Sequence, residues 1–104
     1  MYYVKLKSEY DDLDKFKNNN GEIFYYKKDT GIWHNPYGPA IICKNGTKFY
    51  FIENKCHRLD GPARIWINGV EEYWVNGESL NKEEFEIHPE RLKFLGKEHL
   101  ICLK

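Results

Sequence analysis

The sequence predicts an α+β protein that is mainly β: an antiparallel meander of about two and a half 23-residue β-hairpin repeats, closed at both ends by elements that do not repeat. Three observations predict this fold. Aromatic residues make up 16% of the chain, and they suit a pleated, half-buried surface. A segment that begins at Trp33 returns 23 residues later. Each copy contains an Asn-Gly pair between alternating apolar segments, which is typical of a hairpin turn.

The length of 104 residues predicts a single domain. We expect residues 1–20 to form an N-terminal strand and helix, residues 21–80 the hairpin repeats, and residues 81–104 the C-terminal helices and a strand. In the N-terminal part, residues 2–7 are predicted to form a strand. Ser8 is predicted to begin a short helix in which Tyr10, Leu13 and Phe16 share one face, with Asp11 completing a capping-box pattern.

The repeat itself is defined by aligned residues. His57 aligns with His34, and the later members of the unit follow in the same order: Gly61-Pro62-Ala63 on Gly38-Pro39-Ala40, Asn68-Gly69 on Asn45-Gly46, and Tyr73 on Tyr50. A partial unit, Gly21 to Tyr26, precedes them and has two extra residues in its connection. A period of this length indicates a supersecondary unit that buries its apolar face by stacking on its neighbours.

Type I′ turns of two residues at Asn45-Gly46 and Asn68-Gly69 would fix the register of both hairpins. In that register Ile42 faces Phe49 and Ala63 faces Trp74. The predicted core face then consists of Ala40, Ile42, Phe49, Phe51, Ala63, Ile65, Ile67 and Trp74. The other face carries Ile41, Cys43, Lys48, Tyr50, Ile52, Arg64, Trp66, Glu71, Tyr73 and Val75.

Two short helices and a strand are predicted after the repeats. Asn81 and Glu84 form a capping-box pattern for a helix that extends to about Ile87. Pro89 suits the first turn of a second helix that Gly96 ends. Residues 99–103 are predicted to form a last strand. We expect these terminal elements to cover the edges of the sheet, because an open edge invites pairing with another chain.

The repeat unit resembles a known class of short tandem repeats. Its most specific parts are His57-Arg58-Leu59-Asp60-Gly61-Pro62-Ala63 and Tyr73-Trp74-Val75-Asn76-Gly77. Units of this form are similar to the MORN-like β-hairpin repeats of small proteins from bacteriophages, large DNA viruses and bacteria. The match departs from that pattern at His34-Asn35-Pro36-Tyr37. The resemblance implies a hairpin array in a small accessory protein of mobile or viral genomes, and it assigns no chemistry.

We predict that the protein is not an enzyme and holds no cofactor or metal. No nucleophile, phosphate-loop or zinc motif occurs in the sequence,. A residue that recurs in every unit is more often structural than catalytic, because buried polar groups need partners. We therefore assign a structural role to the residues that define the repeat: His34, His57, Asp60, Gly38, Gly61, Asn45, Gly46, Asn68 and Gly69.

The second face of the hairpins is the predicted binding surface, formed by Tyr50, Arg64, Trp66, Tyr73 and Lys48. Aromatic and arginine side chains are typical of protein-binding hot spots. They also stack on bases in proteins that bind single strands. Packing of this face under a terminal helix remains the structural alternative.

Composition separates the candidate partners. Sixteen basic and sixteen acidic residues give a net charge of zero, which argues against a partner held mainly by long-range charge. A host effector protein is the favoured partner, and the viral side of the resemblance implies an anti-CRISPR-like inhibitor of host defence. A nucleotide or single-stranded nucleic acid is the second hypothesis, and an antitoxin acting on a toxin is the third.

We expect no membrane association, because no apolar run approaches the roughly 20 residues of a spanning helix. Three cysteines, Cys43, Cys56 and Cys102, cannot all pair with one another,. A reducing cytoplasm, that of the host cell if the protein is viral, is the expected location. The sequence leaves the oligomeric state open, with a dimer through a sheet edge as one alternative.

Overall fold

The computed structural model describes residues 3–97, which form eleven strands and two helices. The strands are β1 (Tyr3–Leu6), β2 (Leu13–Asn18), β3 (Ile23–Lys27), β4 (Ile32–Trp33), β5 (Ile41–Ile42), β6 (Lys48–Phe49), β7 (Phe51–Ile52), β8 (Lys55–Cys56), β9 (Arg64–Ile65), β10 (Glu71–Val75) and β11 (Glu78–Leu80). The helices are α1 (Lys82–Glu86) and α2 (Pro89–Phe94).

Nine of the strands form one antiparallel sheet in the order β1-β2-β3-β5-β6-β9-β10-β11, with β4 paired to β3. Strands β7 and β8 pair separately. The mainly β, antiparallel meander with two short C-terminal helices is therefore confirmed. The fold is elongated, since its Cα radius of gyration is 15.2 Å and a compact chain of this length has about 13 Å.

The predicted N-terminal helix is wrong. The residues expected on its apolar face lie instead in or before β2, which pairs with β1 on one side and β3 on the other. Before β2, the Ser8 hydroxyl accepts the Tyr10 N–H at 3.1 Å, which closes a local turn instead of capping a helix. Pairing with two neighbouring strands overrides a helical pattern of only three apolar residues.

The two Asn-Gly pairs do not form the predicted two-residue turns. The Cys43 N–H donates to Thr47 O at 2.8 Å, so the first loop has three residues, and Gly46 takes a φ of 96°. The Asn45 carboxamide oxygen accepts the Thr47 N–H at 2.9 Å. This side-chain bond holds the asparagine in a turn of its own and leaves only the glycine left-handed, as in hairpins with a three-residue loop. Asn68-Gly69 repeats the arrangement, with Gly69 at φ 90°.

Two-residue turns with positive φ at both positions occur elsewhere. Glu53 and Asn54, at 46° and 66°, connect β7 to β8. Asn76 and Gly77, at 52° and 83°, connect β10 to β11. These are the dihedral signs that type I′ turns need. Type I′ turns therefore occur in each unit, but they form the turn that follows the Asn-Gly hairpin and not the Asn-Gly loop itself.

The additional loop residue shifts the register and changes which side chains share a face. Ile41, not Ile42, lies opposite Phe49, and Arg64, not Ile65, lies opposite Glu72. A β-bulge follows in the first hairpin, where the Ala40 N–H also bonds to Phe49 O at 2.9 Å,. The second hairpin has the equivalent bond from the Ala63 N–H to Glu72 O at 2.8 Å.

The predicted core face is consequently only partly correct. Ala40 and Ala63 are fully buried, but Ile67 is 65% exposed. Ile41 and Val75, which the predicted register assigns to the opposite face, are buried. The remaining buried apolar residues are Leu13, Phe24, Tyr25, Cys56, Phe85 and Leu92.

Both C-terminal helices begin as predicted. Asn81 accepts the Glu84 N–H at 2.8 Å, and the Glu84 carboxylate accepts the Asn81 N–H at 2.9 Å, which completes the capping box. Pro89 occupies the first turn of α2. Phe85 of α1 and Leu92 of α2 are buried. The predicted strand at residues 99–103 lies outside the described residues, as does Cys102.

Several backbone hydrogen bonds recur 23 residues apart along the meander. The bond from the Asn54 N–H to Trp33 O, at 2.8 Å, recurs as the bond from the Gly77 N–H to Cys56 O, at 2.9 Å. The bond from the Asn35 N–H to Phe51 O, at 3.0 Å, recurs as the bond from the Arg58 N–H to Trp74 O, at 3.1 Å. Equivalent residues at this spacing therefore join equivalent strands and loops.

Candidate binding surface

A cluster of five side chains occupies one face of the sheet between β6 and β10: Phe49, Arg64, Trp66, Glu72 and Trp74. We call it the Trp66 cluster. Phe49 lies opposite Arg64, and Arg64 lies opposite Glu72, so these three side chains form one row across the sheet. Trp66 packs edge-on against Phe49, with 5.1 Å between the ring centroids.

Glu72 lies at the centre of the cluster. Its two carboxylate oxygens accept the indole N–H groups of Trp74 and Trp66, each at 3.0 Å. The hydrogen bond from Trp74, then that from Trp66 and the charge of Arg64, lower the pKa of Glu72 below its ordinary value, although partial burial opposes them. The carboxylate therefore fixes both indoles in place.

Arg64 is held by an aromatic ring more than by an ion pair. Its guanidinium carbon is 4.5 Å from the centroid of Trp74, whereas its Nη1 atom is 3.5 Å from Glu72 Oε1. The Nε atom is buried and has no hydrogen-bond partner among the described residues. Such an arrangement holds the guanidinium over the Trp74 ring,.

An apolar tip adjoins the Trp66 cluster at the loop of the second hairpin. Ile67 is 65% exposed and Val70 50% exposed. A cavity of about 540 Å³ lies beside this tip, and Phe49, Trp66, Ile67 and Thr47 are among the residues that line it. At the wall of the cavity the Thr47 hydroxyl accepts the Ile67 N–H at 3.1 Å, which ties the two hairpin tips together.

The structure brings only two of the five predicted surface residues together. Arg64 and Trp66 belong to the Trp66 cluster, whereas Lys48 lies opposite Ile65 and so points to the other face. Tyr73 packs under helix α1, with its ring 4.7 Å from that of Phe85. The single platform predicted from the sequence is therefore wrong, because it assumed two-residue turns.

Tyr50, the fifth predicted surface residue, is half-buried beneath the Arg58 guanidinium, whose carbon is 4.1 Å from the ring centroid. The sequence interpretation placed Phe49 and Trp74 in the core and assigned no role to Glu72. The three-residue loop places Phe49, Glu72 and Trp74 on the same face as Trp66, because it shifts the register by one residue.

The two repeated histidines make the same contact in both units. His34 Nδ1 accepts the Glu53 N–H at 3.0 Å, and His57 Nδ1 accepts the Asn76 N–H at 2.9 Å. Each imidazole thereby holds a type I′ turn, a contact that supports the structural assignment.

The loop after His57 is held by its own side chains. Arg58 bonds to Asp60 at 2.7 Å and to Pro62 O at 3.1 Å. A Cβ atom on Gly61 would lie 3.1 Å from the Arg58 guanidinium carbon, so the glycine permits the close approach. Gly38 has no such neighbour, since the nearest atom to a Cβ there is 3.9 Å away.

We expect His57→Ala to lower the free energy of unfolding by about 1 kcal/mol at about pH 7.5, because alanine leaves the Asn76 N–H without its acceptor,. Burial lowers the pKa of His57 below 6.5. The charge of Glu90 raises this pKa, and that of His88 lowers it, by smaller amounts. The unfolded chain then binds the proton more readily, so wild-type stability should fall as the pH drops below 6.5,.

Urea unfolding of both proteins between about pH 5 and pH 8 measures this difference. The variant should lack the component of acid sensitivity that His57 contributes. Stoichiometric zinc in the wild-type protein that disappears in the variant would contradict the structural assignment.

Within residues 3–97 no helix has the length and apolar character needed to cross a membrane. The same residues contain no group of three or more side chains arranged to hold a metal ion. Neither a family model, nor a curated protein, nor a solved structure matches the chain.

Proposed function

We propose that the protein is a non-enzymatic module that binds another protein through the Trp66 cluster and its apolar tip. The observation that carries this proposal is the exposure of Ile67 and Val70 beside a rigid group of aromatic and arginine side chains. Tryptophan and arginine are enriched among residues that dominate binding energies. Exposed apolar side chains next to such anchors give a partner an area that it can remove from water.

The charge of the cluster favours a protein over a nucleic acid. Glu72 places a carboxylate between the two indoles and beside Arg64. A phosphate would meet this negative charge, and Arg64 is already engaged. Binding of a nucleotide or a single strand is the second hypothesis, and an antitoxin that binds a toxin is the third.

We also propose that the sheet consists of about two and a half 23-residue units of the MORN-like type. The hydrogen bonds that recur at this spacing support it. The resemblance of the units to those of phage and viral accessory proteins supports a more specific role as an anti-CRISPR-like inhibitor of a host defence effector. Cytoplasmic location is part of the same proposal, and the unpaired thiols of Cys43 and Cys56 fit it,.

Site-specific photocrosslinking in the cells in which the protein is naturally made tests the proposed surface. A photoreactive amino acid replaces Ile67, which is 65% exposed at the tip, or Ile87, which is 58% exposed after helix α1. Position 87 is a matched control, because both isoleucines are exposed and lie in different parts of the fold. We expect a discrete protein adduct from position 67 and none from position 87.

Two results would contradict the proposal. Adducts from position 87 alone would place the partner elsewhere on the fold. A nuclease-sensitive adduct from position 67 would instead support the nucleic-acid hypothesis.

A further inference from the structure

A second pocket, distant in sequence from the Trp66 cluster, lies between the first three strands and the turn after β3. Its volume is about 320 Å³, near the lower end of the roughly 300–1,000 Å³ found for small-molecule sites. The lining residues are Tyr3, Asp14, Phe16, Tyr26, Asp29, Thr30 and Gly31. The pocket therefore combines three aromatic rings with two carboxylates.

The aromatic rings form walls that meet at steep angles. Phe16 and Tyr26 are 5.5 Å apart between centroids and inclined at 72°. Phe24 stacks behind Tyr26 at 17°, and Tyr3 stands at 69° to Phe24. Tyr3, Phe16 and Tyr26 all border the same pocket, and aromatic rings around a pocket are what aromatic cages use to hold an alkylammonium group.

The carboxylates give the pocket a negative charge. Asp14 is a cross-strand neighbour of Tyr26, and its Oδ2 atom accepts the Asp29 N–H at 2.9 Å. That bond joins strand β2 to the turn and fixes the pocket wall. An apolar pocket with carboxylates in its lining is complementary to a cation that also carries apolar surface.

The protein already places one cation beside this pocket. Lys5 Nζ is 3.7 Å from Asp14 Oδ1, and the Lys5 side chain is 63% exposed. An exposed pair at this distance contributes little to stability, so a better-fitting cation can replace it. The position of Lys5 shows the sign of charge that Asp14 attracts.

We infer that this pocket binds a methylated alkylammonium group, such as the head of choline or the side chain of a methylated lysine. The aromatic walls of Tyr3, Phe16 and Tyr26 would contact the methyl groups, and Asp14 and Asp29 would balance the charge. This inference is independent of the proposed protein-binding surface, since the two sites share no residue.

Titration of the full-length, isotope-labelled protein with choline, followed by NMR, tests the inference. We expect saturable shifts of the Asp29, Thr30 and Gly31 amides within about 20 mM ligand, and at least tenfold weaker binding of the uncharged tert-butyl isostere. The isostere has the same shape, so it isolates the contribution of the charge. Absence of saturable shifts, or equal binding of the isostere, would overturn the inference.

Variants locate the site. Asp29→Asn should weaken choline binding about threefold to tenfold, since it removes one charge. Its backbone should tolerate the change, because asparagine adopts the φ of 61° found there,. Phe16→Leu should weaken binding about tenfold, whereas Phe94→Leu, which alters an exposed phenylalanine outside the pocket, should leave it unchanged. Equal effects of the two phenylalanine variants would overturn the assignment.

A comparison of ligands identifies the source of the ammonium group. Tighter binding of a trimethyllysine peptide than of both choline and the unmethylated peptide would indicate a protein side chain. Tighter binding of choline would indicate a free small molecule. Both results support the shared chemistry, and a preference for the unmethylated peptide would overturn it.

Discussion

Replacing Phe85 by alanine should lower the free energy of unfolding by about 3–5 kcal/mol, the usual cost of removing a buried phenylalanine ring. Phe85 is 2% exposed and packs on Tyr73. The guanidinium carbon of Arg91 lies 4.6 Å from the centroid of the Phe85 ring. The truncation would therefore leave a cavity between helix α1, helix α2 and strand β10.

Urea denaturation followed by circular dichroism measures this loss. Phe94→Ala is the matched control, since it removes the same ring from a side chain that is 58% exposed. The control should change the unfolding free energy by less than about 1 kcal/mol. Equal losses for the two variants would show that α1 does not close the Tyr73 face of the sheet.

The second large effect concerns binding. Arg64→Ala combined with Trp66→Ala should weaken the affinity for the protein partner by about 2–4 kcal/mol, or roughly 30-fold to 1,000-fold. The double variant removes the indole that rests on Phe49 and the guanidinium that stacks on Trp74. Calorimetric titration with the crosslinked partner, once purified, measures the change.

Lys48→Ala provides the control for this experiment. Lys48 is exposed but belongs to the opposite face, so its loss should change the affinity by less than about 0.5 kcal/mol. Circular dichroism verifies that each variant is folded. Full affinity of a folded double variant would show that the partner binds elsewhere.

The sequence predicted best those elements that depend on neighbouring residues. The capping box of α1 needs only Asn81 and Glu84, three residues apart, and it forms as predicted. The N-terminal segment behaves differently, because residues 13–18 obtain their structure from pairing with β1 and β3. A pattern read along the chain does not contain that pairing.

The binding surface was harder to predict because it depends on one loop residue. The hydrogen bond from the Thr47 N–H to the Asn45 side chain accompanies a three-residue loop, and the Asn-Gly pair alone is compatible with either loop length. A shift of one residue exchanges the faces of a strand. The register predicted from two-residue turns therefore groups Lys48 and Tyr73 with Trp66 and gives Glu72 no role.

The affinity of the purified protein for its partner as a function of salt concentration tests the central claim most directly. A protein partner held by the Trp66 cluster should keep its Kd within about threefold between roughly 50 and 300 mM salt, because apolar contacts are weakly screened. A nucleic acid would lose affinity by about 10³-fold or more over a similar range if six or more phosphates were contacted. A steep dependence of that kind would contradict the proposed function.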